Sequence, residues 1–145
     1  MPTPTAYEIS TDPDRLDLDL VHEFLRSTYW ASNIPREVVE KSIQNSICFA
    51  AFHNNRQVGF GRVITDRATF AYIADVFVVP EHRRRGVSKL ILRAMLDHPD
   101  LQGLRRILLA TQDAHGLYER FGFVPLEHAE HYLTIHRPSP YAASP

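Results

Sequence analysis

Two hydrophobic periodicities follow one another along the first half of the chain and predict its elements. Residues 7–10 form a short predicted strand, and residues 16–25 and 35–44 carry apolar side chains at helical spacing. The runs 47–53 and 58–65 are rich in β-favouring residues and flank an Asn-Asn turn, a pattern typical of a β-hairpin. The first half is therefore predicted to fold as β-α-α-β-β.

The second half opens with a nearly continuous apolar run, residues 68–80, which predicts a central strand buried on both faces. An i, i+3, i+4, i+7, i+8 stripe predicts a helix over 86–96, and residues 104–111 predict a strand. Another helix is expected over 113–122, since its first residue is a suitable N-cap and its last is a glycine.

Two short segments near the end, 123–128 and 131–136, have the pattern of a closing pair of strands. The complete order is then β-α-α-β-β-β-α-β-α-β-β, a mixed α/β sheet in a single domain spanning 1–145. The proline-rich ends, about 1–5 and 138–145, are expected to be flexible tails.

The composition of the chain argues against some classes of function. The chain has 145 residues, 44% hydrophobic and 23% charged, with a formal net charge of −1, so its arginine cluster is a local feature of a balanced protein. A dedicated nucleic-acid binder carries a clear basic excess, so no nucleic-acid partner is expected. No apolar stretch approaches the roughly 20 residues that span a bilayer, so no membrane partner is expected either.

The single cysteine, Cys48, lies in an apolar run and is interpreted as a small buried residue. One cysteine forms no intrachain disulfide, and the first ten residues lack a secretory signal pattern, so a cytoplasmic location is expected. His128 and His131 have i, i+3 spacing but no surrounding ligand pattern, so no metal is expected.

The segment EHRRRGVSKLIL, residues 81–92, concentrates positive charge where a buried strand gives way to an amphipathic helix. Free N–H groups and the helix dipole at such a start favour an anion, and a glycine there lets the backbone approach it. The alternative is a helix start with exposed arginines. The pyrophosphate cradle predicted here consists of Arg83, Arg84, Arg85, Gly86, Val87, Ser88 and Lys89.

This segment, within VFVVPEHRRRGVSKLIL, resembles the acetyl-CoA signature of the GNAT superfamily of N-acetyltransferases. About 30 residues later, LYERFGF resembles the second hallmark of that family. The resemblance implies a GNAT-like fold with a mixed, mostly antiparallel central sheet flanked by about four helices. Three positions depart from the family pattern: Arg84 replaces a common glycine, Ser88 a Gly or Ala, and Thr111 an asparagine that contacts the cofactor arm.

The same resemblance implies acetyl-CoA as cosubstrate. The backbone of Phe77, Val78 and Val79 would then pair with the pantetheine arm, with the Val78 N–H polarising the thioester carbonyl. Tyr118 matches the family's general acid, because a phenol is neutral at pH 7 and can protonate the departing thiolate. The alternative for Tyr118 is a packing role on the core.

Candidate acceptor-binding residues precede and include the central strand. Asp75 is the one acidic side chain in that strand, where a carboxylate is costly unless it faces a polar cavity or a partner. It is a candidate for binding the amine or accepting its proton, and the alternative is an ion pair with Arg62. Tyr72 is expected to line the acceptor cleft, and Tyr29 and Trp30 to form an aromatic wall, with core packing as their alternative.

The predicted function is an acetyl-CoA-dependent N-acetyltransferase that moves an acetyl group to a primary amine of a small molecule by direct attack in a ternary complex. The alternatives are a non-catalytic acyl-CoA-sensing module of the same fold and an acetyltransferase for protein amino groups. Oligomeric state stays open, with a homodimer as a candidate because dimers are common among proteins that resemble this one.

Overall fold

A five-stranded sheet flanked by four helices forms the framework of the computed structural model, which describes residues 6–138 and 140–141. The strands are β1 (Tyr7–Ser10), β2 (Ile47–His53), β3 (Arg56–Thr65), β4 (Phe70–Val78) and β5 (Arg106–Leu108). The helices are α1 (Leu18–Leu25), α2 (Arg36–Gln44), α3 (Val87–Asp97) and α4 (His115–Glu119). The predicted order β-α-α-β-β-β-α-β-α is confirmed through α4.

The strands lie in the spatial order β1-β2-β3-β4-β5. The first three neighbouring pairs are antiparallel and the β4–β5 pair is parallel, so the predicted mixed, mostly antiparallel sheet is confirmed. The β2–β3 hairpin turns through Asn54 and Asn55, whose φ angles are 50° and 63°. Two successive left-handed residues match the right-handed twist of the flanking strands, and asparagine tolerates that conformation well.

Strand β4 contains a bulge opposite β3, and its pairing with β5 ends before the bulge. Its residues Asp75 and Val76 together oppose the single residue Gly61 of β3, and Asp75 has a φ of 59°. On the other side, the parallel ladder with β5 ends at the pair Tyr72–Leu108. Strands β4 and β5 are therefore paired where they begin and unpaired farther along, which leaves an opening beside the second half of β4.

Helices cover both faces of the sheet. Helices α1 and α2 pack on one face, where Phe24 stacks on Phe77 with ring centroids 4.0 Å apart. Helix α3 packs on the other face through Ile91 and Met95, both almost fully buried. A Cβ atom added to Gly61 would overlap the Met95 side chain, so this glycine allows α3 to lie close to β3.

The predicted closing strands are wrong for the described part of the chain. Residues 123–128 and 131–136 join no ladder; His128 takes a left-handed φ of 57°, and a 3-10 turn covers Ala129–His131. Alternating apolar residues favour an extended backbone, but a strand also needs a neighbouring edge to accept its hydrogen bonds. Among the described residues, neither segment pairs with such an edge, although the side of β5 opposite β4 is unpaired there.

Of the predicted flexible tails, residues 1–5, 139 and 142–145 lie outside the described residues. Tyr141 is described, and it is half-buried rather than free in solvent. Within residues 6–138 and 140–141, no helix combines the length and the apolar composition that crossing a membrane requires. The single-domain assignment of 1–145 stays a prediction.

Candidate functional site: an anion cradle beside an aromatic cavity

A concave site of about 250 Å³ lies at the start of α3, where the sequence predicts the pyrophosphate cradle. Gly86 precedes the helix in a left-handed conformation with φ 78°, and a Cβ atom there would meet nothing within 4 Å. The space in front of the Gly86 backbone is therefore open to a ligand. The residues that line the site are Val78, His82, Arg83, Arg84, Gly86, Val87, Ser88 and Lys89.

Not every predicted cradle residue has the same place in the site. Arg83 donates from Nε to the carbonyl oxygen of Val78 at 3.0 Å, which ties the loop to the end of β4. Val87 is 2% exposed, so its side chain anchors the helix start in the core. Arg85 is absent from the residues that line the cavity, although Arg84 and Lys89 belong to them.

At the end of β4, the orientation of the backbone leaves the N–H group of one residue facing the opening beside β5. The N–H of Val79 donates to the carbonyl oxygen of Val58 in β3 at 2.9 Å, so it is already used within the sheet. Because hydrogen-bonding groups alternate sides along a strand, Phe77 also points its backbone groups toward β3. The N–H of Val78 therefore faces the opening, as the sequence analysis requires of the carbonyl-polarising donor.

A second cavity, of about 780 Å³, lies between the end of α1 and the diverging strands β4 and β5. We call it the acceptor cavity, after the acceptor-binding residues that the sequence predicts for it. It brings together all four predicted acceptor residues, Tyr29, Trp30, Tyr72 and Asp75, and adds Tyr118 from α4. The aromatic wall predicted at Tyr29 and Trp30 is present, with the two rings edge to face at 5.1 Å.

Asp75 is held by two donors inside this cavity. Its Oδ2 accepts from Arg62 Nε at 2.8 Å, and its Oδ1 accepts from Trp30 Nε1 at 2.9 Å. The side chains of Asp75 and Arg62 are 9% and 15% exposed, so the pair is nearly buried. The ion pair weighed in the sequence analysis exists, and Asp75 lines the acceptor cavity at the same time.

Tyr118 projects from α4 and is 9% exposed. It lines the acceptor cavity and also a neighbouring cavity along β5, so its ring separates the two. Burial raises the pKa of the Tyr118 phenol, and the negative charge of Asp113 raises this pKa further. The hydroxyl is therefore protonated at neutral pH and can act as a proton donor.

A sequence profile described as the acetyltransferase (GNAT) family matches residues 17–123. The chain belongs to this family. The match begins before α1 and ends after α4, so it includes both the cradle and the acceptor cavity's residues from α1 to α4.

Individual relatives agree with this GNAT assignment. A crystal structure of a GNAT-family protein of Xanthomonas campestris pv. campestris, proposed to be an acetyltransferase, is 50% identical with a TM-score of 0.92, covering 94% of this chain and 97% of that one. A Gibberella zeae protein proposed to be an acetyltransferase is 32% identical over 77% of this chain and 75% of its own. Glucosamine-6-phosphate N-acetyltransferase of Arabidopsis thaliana, 12% identical, has the same fold, with a TM-score of 0.64 and 90% and 97% coverage.

The structure gives the local environment of two departures from the GNAT pattern, Arg84 and Thr111. Arg84 has a φ of 63°, a conformation that glycine adopts freely and that costs other residues on the order of 1–2 kcal/mol. The backbone here therefore favours the glycine of the resembled pattern, and Arg84 adopts the strained conformation in its place. The hydroxyl of Thr111 accepts from the Ala114 N–H at 3.1 Å, so it stabilises the turn before α4.

The residues of the acceptor cavity that the sequence analysis did not predict include Gln112, Asp113 and Tyr141. The first two follow Thr111 directly, so their position after β5 was an available signal. Tyr141 lies 22 residues beyond the end of α4 in a proline-rich end, and only the path of the chain brings it to the cavity.

Cys48 is 6% exposed, and burial raises the pKa of its thiol to about 12, which confirms the interpretation of an inert buried residue. His128, Glu130 and His131 bring their ligand-type atoms within 4.8 Å of one another. All three are exposed, and the two histidine rings stack with centroids 4.9 Å apart. The expectation that the protein uses no metal stays a prediction.

Proposed function

We propose that this GNAT-family protein is an acetyl-CoA-dependent N-acetyltransferase that transfers an acetyl group to a primary amine of a small molecule by direct attack in a ternary complex. The observation that carries the proposal is the position of Tyr118. It lines the acceptor cavity together with Asp75 and with Val76, which stands two residues before Val78 in the chain. A proton donor and an anionic anchor thus face one cavity.

The cradle fits the phosphate groups of acetyl-CoA. Arg83, Arg84 and Lys89 supply positive charge, and the left-handed Gly86 leaves open space in front of the first turn of α3. When bound, acetyl-CoA supplies an acetyl group activated as a thioester. In this proposal, the Val78 N–H donates to the thioester carbonyl oxygen, and a preorganised donor of this kind is worth about 3 kcal/mol in other enzymes.

The acceptor cavity supports a small amine as the acceptor. Its volume of about 780 Å³ lies within the roughly 300–1,000 Å³ typical of small-molecule sites. Tyr29, Trp30 and Tyr72 present aromatic surface, which attracts an ammonium group and packs against an apolar body. The cavity therefore favours an amine with an aromatic or aliphatic body over a highly charged polyamine. A protein amino group is the second candidate.

Tyr118 and Asp75 have separate roles in this proposal. Tyr118, whose phenol stays protonated, donates to the sulfur of the leaving thiolate. Asp75 already accepts hydrogen bonds from Arg62 and Trp30 on its two oxygens, so the proposal gives it the binding of the acceptor's ammonium group. In this proposal a water molecule takes one ammonium proton to solvent before attack, and the proton that the attacking nitrogen loses as the amide forms returns to the Tyr118 oxygen and restores the phenol.

Cellular location and assembly are proposals too. An unpaired, buried Cys48 fits a reducing compartment such as the cytoplasm. A homodimer is proposed as well, since dimers are common among proteins that this chain resembles.

The test is a screen of acetyl-CoA consumption, read as free thiol, against amino acids, aryl and alkyl amines, aminoglycosides and peptides. Melting curves with acetyl-CoA and with CoA run in parallel, since a ligand that binds only the native state raises the melting temperature. Thiol release with a small amine supports the proposal. A thermal shift without thiol release from any acceptor would favour the non-catalytic sensing module. If millimolar acetyl-CoA causes no thermal shift, acetyl-CoA is excluded as the cosubstrate.

A further inference from the structure

Arg62 has more hydrogen-bond donors than its partners use. Its Nε donates to Asp75 Oδ2 at 2.8 Å, and its Nη1 donates to Ser46 Oγ at 3.1 Å. A guanidinium group carries five N–H donors in a fixed plane. The remaining N–H groups of Arg62, including both on Nη2, therefore have no partner among residues 6–138 and 140–141.

These unused donors belong to the acceptor cavity. Every buried side-chain nitrogen or oxygen atom in the described part of the chain has a hydrogen-bond partner, so an Nη2 without one is not buried. Arg62 lines the acceptor cavity, and its side chain keeps a small exposed part. Its free N–H groups are therefore available to a ligand in that cavity.

The charges around the acceptor cavity leave one place for an anionic group. Arg62 is the one cationic side chain among the described residues that line it, and the anionic ones are Asp75 and Asp113. An anion would be repelled by these two carboxylates unless it lay against Arg62. A carboxylate suits this position, because a planar guanidinium donates two parallel N–H groups to its two oxygens.

The place for an ammonium group is directly beside the place for a carboxylate. Asp75 Oδ2 lies 2.8 Å from Arg62 Nε, and each Asp75 oxygen accepts one hydrogen bond in the structure. A carboxylate oxygen has two acceptor positions, so Asp75 can bind an ammonium group without losing Arg62 or Trp30. An α-amino acid carries its ammonium and carboxylate groups on one carbon atom, which matches two adjacent anchors of opposite charge.

We infer that the acceptor is a free α-amino acid with an aromatic or large aliphatic side chain, whose carboxylate binds Arg62 and whose ammonium group binds Asp75. The acetylation of this amino acid rests on the proposed function, whereas the binding of its carboxylate does not. The side chain would pack on the apolar part of the cavity lining, which includes Tyr29, Ile34, Val38 and Tyr72.

The transfer step balances with acetyl-CoA as the other reactant. The neutral α-amine forms a bond to the acetyl carbon, and the bond between that carbon and sulfur breaks. The amine nitrogen loses one proton and the sulfur gains one, so the products are an N-acetyl amino acid and the thiol of CoA. The product keeps the carboxylate for Arg62 but has no ammonium group for Asp75, which weakens its binding and favours its release.

The first test compares substrates that differ only in the carboxylate. The pairs are L-phenylalanine with phenethylamine and L-leucine with 3-methylbutylamine, each assayed by thiol release with wild type. We expect kcat/KM to be higher for the amino acid of a pair by about ten- to hundred-fold, the usual range for hydrogen bonds to charged groups. Equal or higher kcat/KM for the two amines would overturn the assignment.

Arg62→Lys tests the residue itself. Lysine keeps a positive charge beside Asp75 but lacks the planar pair of donors. We expect the KM for L-phenylalanine to rise about ten-fold and that for phenethylamine to stay nearly unchanged. Each protein is measured with both substrates, so the different basicities of the two amines cancel. Arg67→Lys, in an exposed ion pair with Asp100, is the matched control and should keep the wild-type preference. An unchanged preference in Arg62→Lys contradicts a role for Arg62 in binding.

A binding experiment with wild type needs neither a variant nor turnover. L-Phenylalanine and phenethylamine are titrated separately into protein saturated with CoA, which has no acetyl group to transfer, and the heat is measured. We expect tighter binding of L-phenylalanine; equal binding, or binding of neither, overturns the inference. If L-phenylalanine binds more tightly but no acceptor releases thiol from acetyl-CoA, the proposed function fails and the carboxylate site stands. If amines without a carboxylate release thiol as well as amino acids do, the proposed function stands and the amino-acid assignment fails.

Discussion

Asp75 and Arg62 form an ion pair across the bulge of β4: the Asp75 Oδ2 accepts from Arg62 Nε at 2.8 Å, and the side chains are 9% and 15% exposed. The φ of 59° at Asp75 turns its carboxylate toward Arg62 and Trp30 and into the acceptor cavity. One side chain thus combines an unusual backbone conformation, a nearly buried charge and a place in the proposed site.

Asp75→Asn isolates the charge, because asparagine tolerates a left-handed backbone and keeps the side-chain shape. We expect the free energy of unfolding to fall by about 3 kcal/mol, since Arg62 would lose its counter-ion in a nearly buried place. Urea denaturation measures this. The matched control is Asp100→Asn, which breaks the exposed pair with Arg67 and should cost less than about 1 kcal/mol. Equal losses in the two variants would contradict the importance of the Asp75 pair.

The same Asp75→Asn protein tests the binding of the acceptor. If the carboxylate binds the ammonium group, the KM for the amine rises while the affinity for CoA is unchanged. Steady-state kinetics measures the KM for the amine, and a CoA titration measures the affinity for CoA. A lower kcat with an unchanged KM would instead favour Asp75 as a proton acceptor.

Tyr118→Phe removes the proposed proton donor and keeps the ring. We expect kcat to fall about 10²-fold, near the lower end of general acid–base effects, with CoA affinity unchanged. Unchanged kcat over pH 6 to 9 would reduce Tyr118 to a packing residue. Should kcat and melting temperature fall together, Asp75→Asn becomes the decisive variant for the proton route.

The raised pKa of Tyr118 also has a signature in stability. The folded phenol holds its proton more tightly than the unfolded one, so stability is unaffected below about pH 10, the ordinary tyrosine pKa. As the pH rises from there through the raised pKa, the unfolded state ionises first and the protein loses stability. Melting curves at pH 8 to 11 should show a smaller alkaline loss for Tyr118→Phe than for wild type.

Gly86→Val should abolish CoA binding while the protein still folds. A Cβ at Gly86 meets no atom within 4 Å, so the folded state pays only the backbone strain, on the order of 1–2 kcal/mol. The side chain would, however, occupy the space that the phosphates need. Gly103→Val is the matched control, because Gly103 has a φ of 74° and equally open surroundings. Isothermal titration should detect CoA binding to the control and none to Gly86→Val.

The Cys48 thiol of the native protein should not react in a thiol assay. With a pKa near 12 and a buried sulfur, it has almost no thiolate at pH 8. We expect no reaction of the native protein with an aromatic disulfide reagent within the assay time and one thiol per chain in guanidinium. Rapid labelling of the native protein would show that the α2–β2 region opens, and that the acetyl-transfer assay needs a Cys48→Ala background.

Patterns within short stretches of the sequence predicted most of the fold and the position of the cradle. The stripe that predicted α3 covers 86–96, and the helix runs Val87–Asp97, because its apolar face and the glycine before it are contiguous in sequence. The Asn-Asn hairpin and the elements through α4 were predicted for the same reason. The cradle is equally local, since its charges, its glycine and its helix start lie within nine residues, 81–89.

The chain by itself therefore determined the elements through α4, most of the residues that line the cavity at the start of α3, and the identities of the aromatic and acidic residues of the acceptor cavity. Only the tertiary structure decided that Asp75 meets both Arg62 and Trp30, that Val78 faces the opening, and that Tyr141 returns to the cavity. It also decided that residues 131–136 remain unpaired in the described chain. The physical reason is that periodicity specifies a backbone conformation and a buried face, whereas partners across a sheet or a cavity depend on which distant segments are brought together.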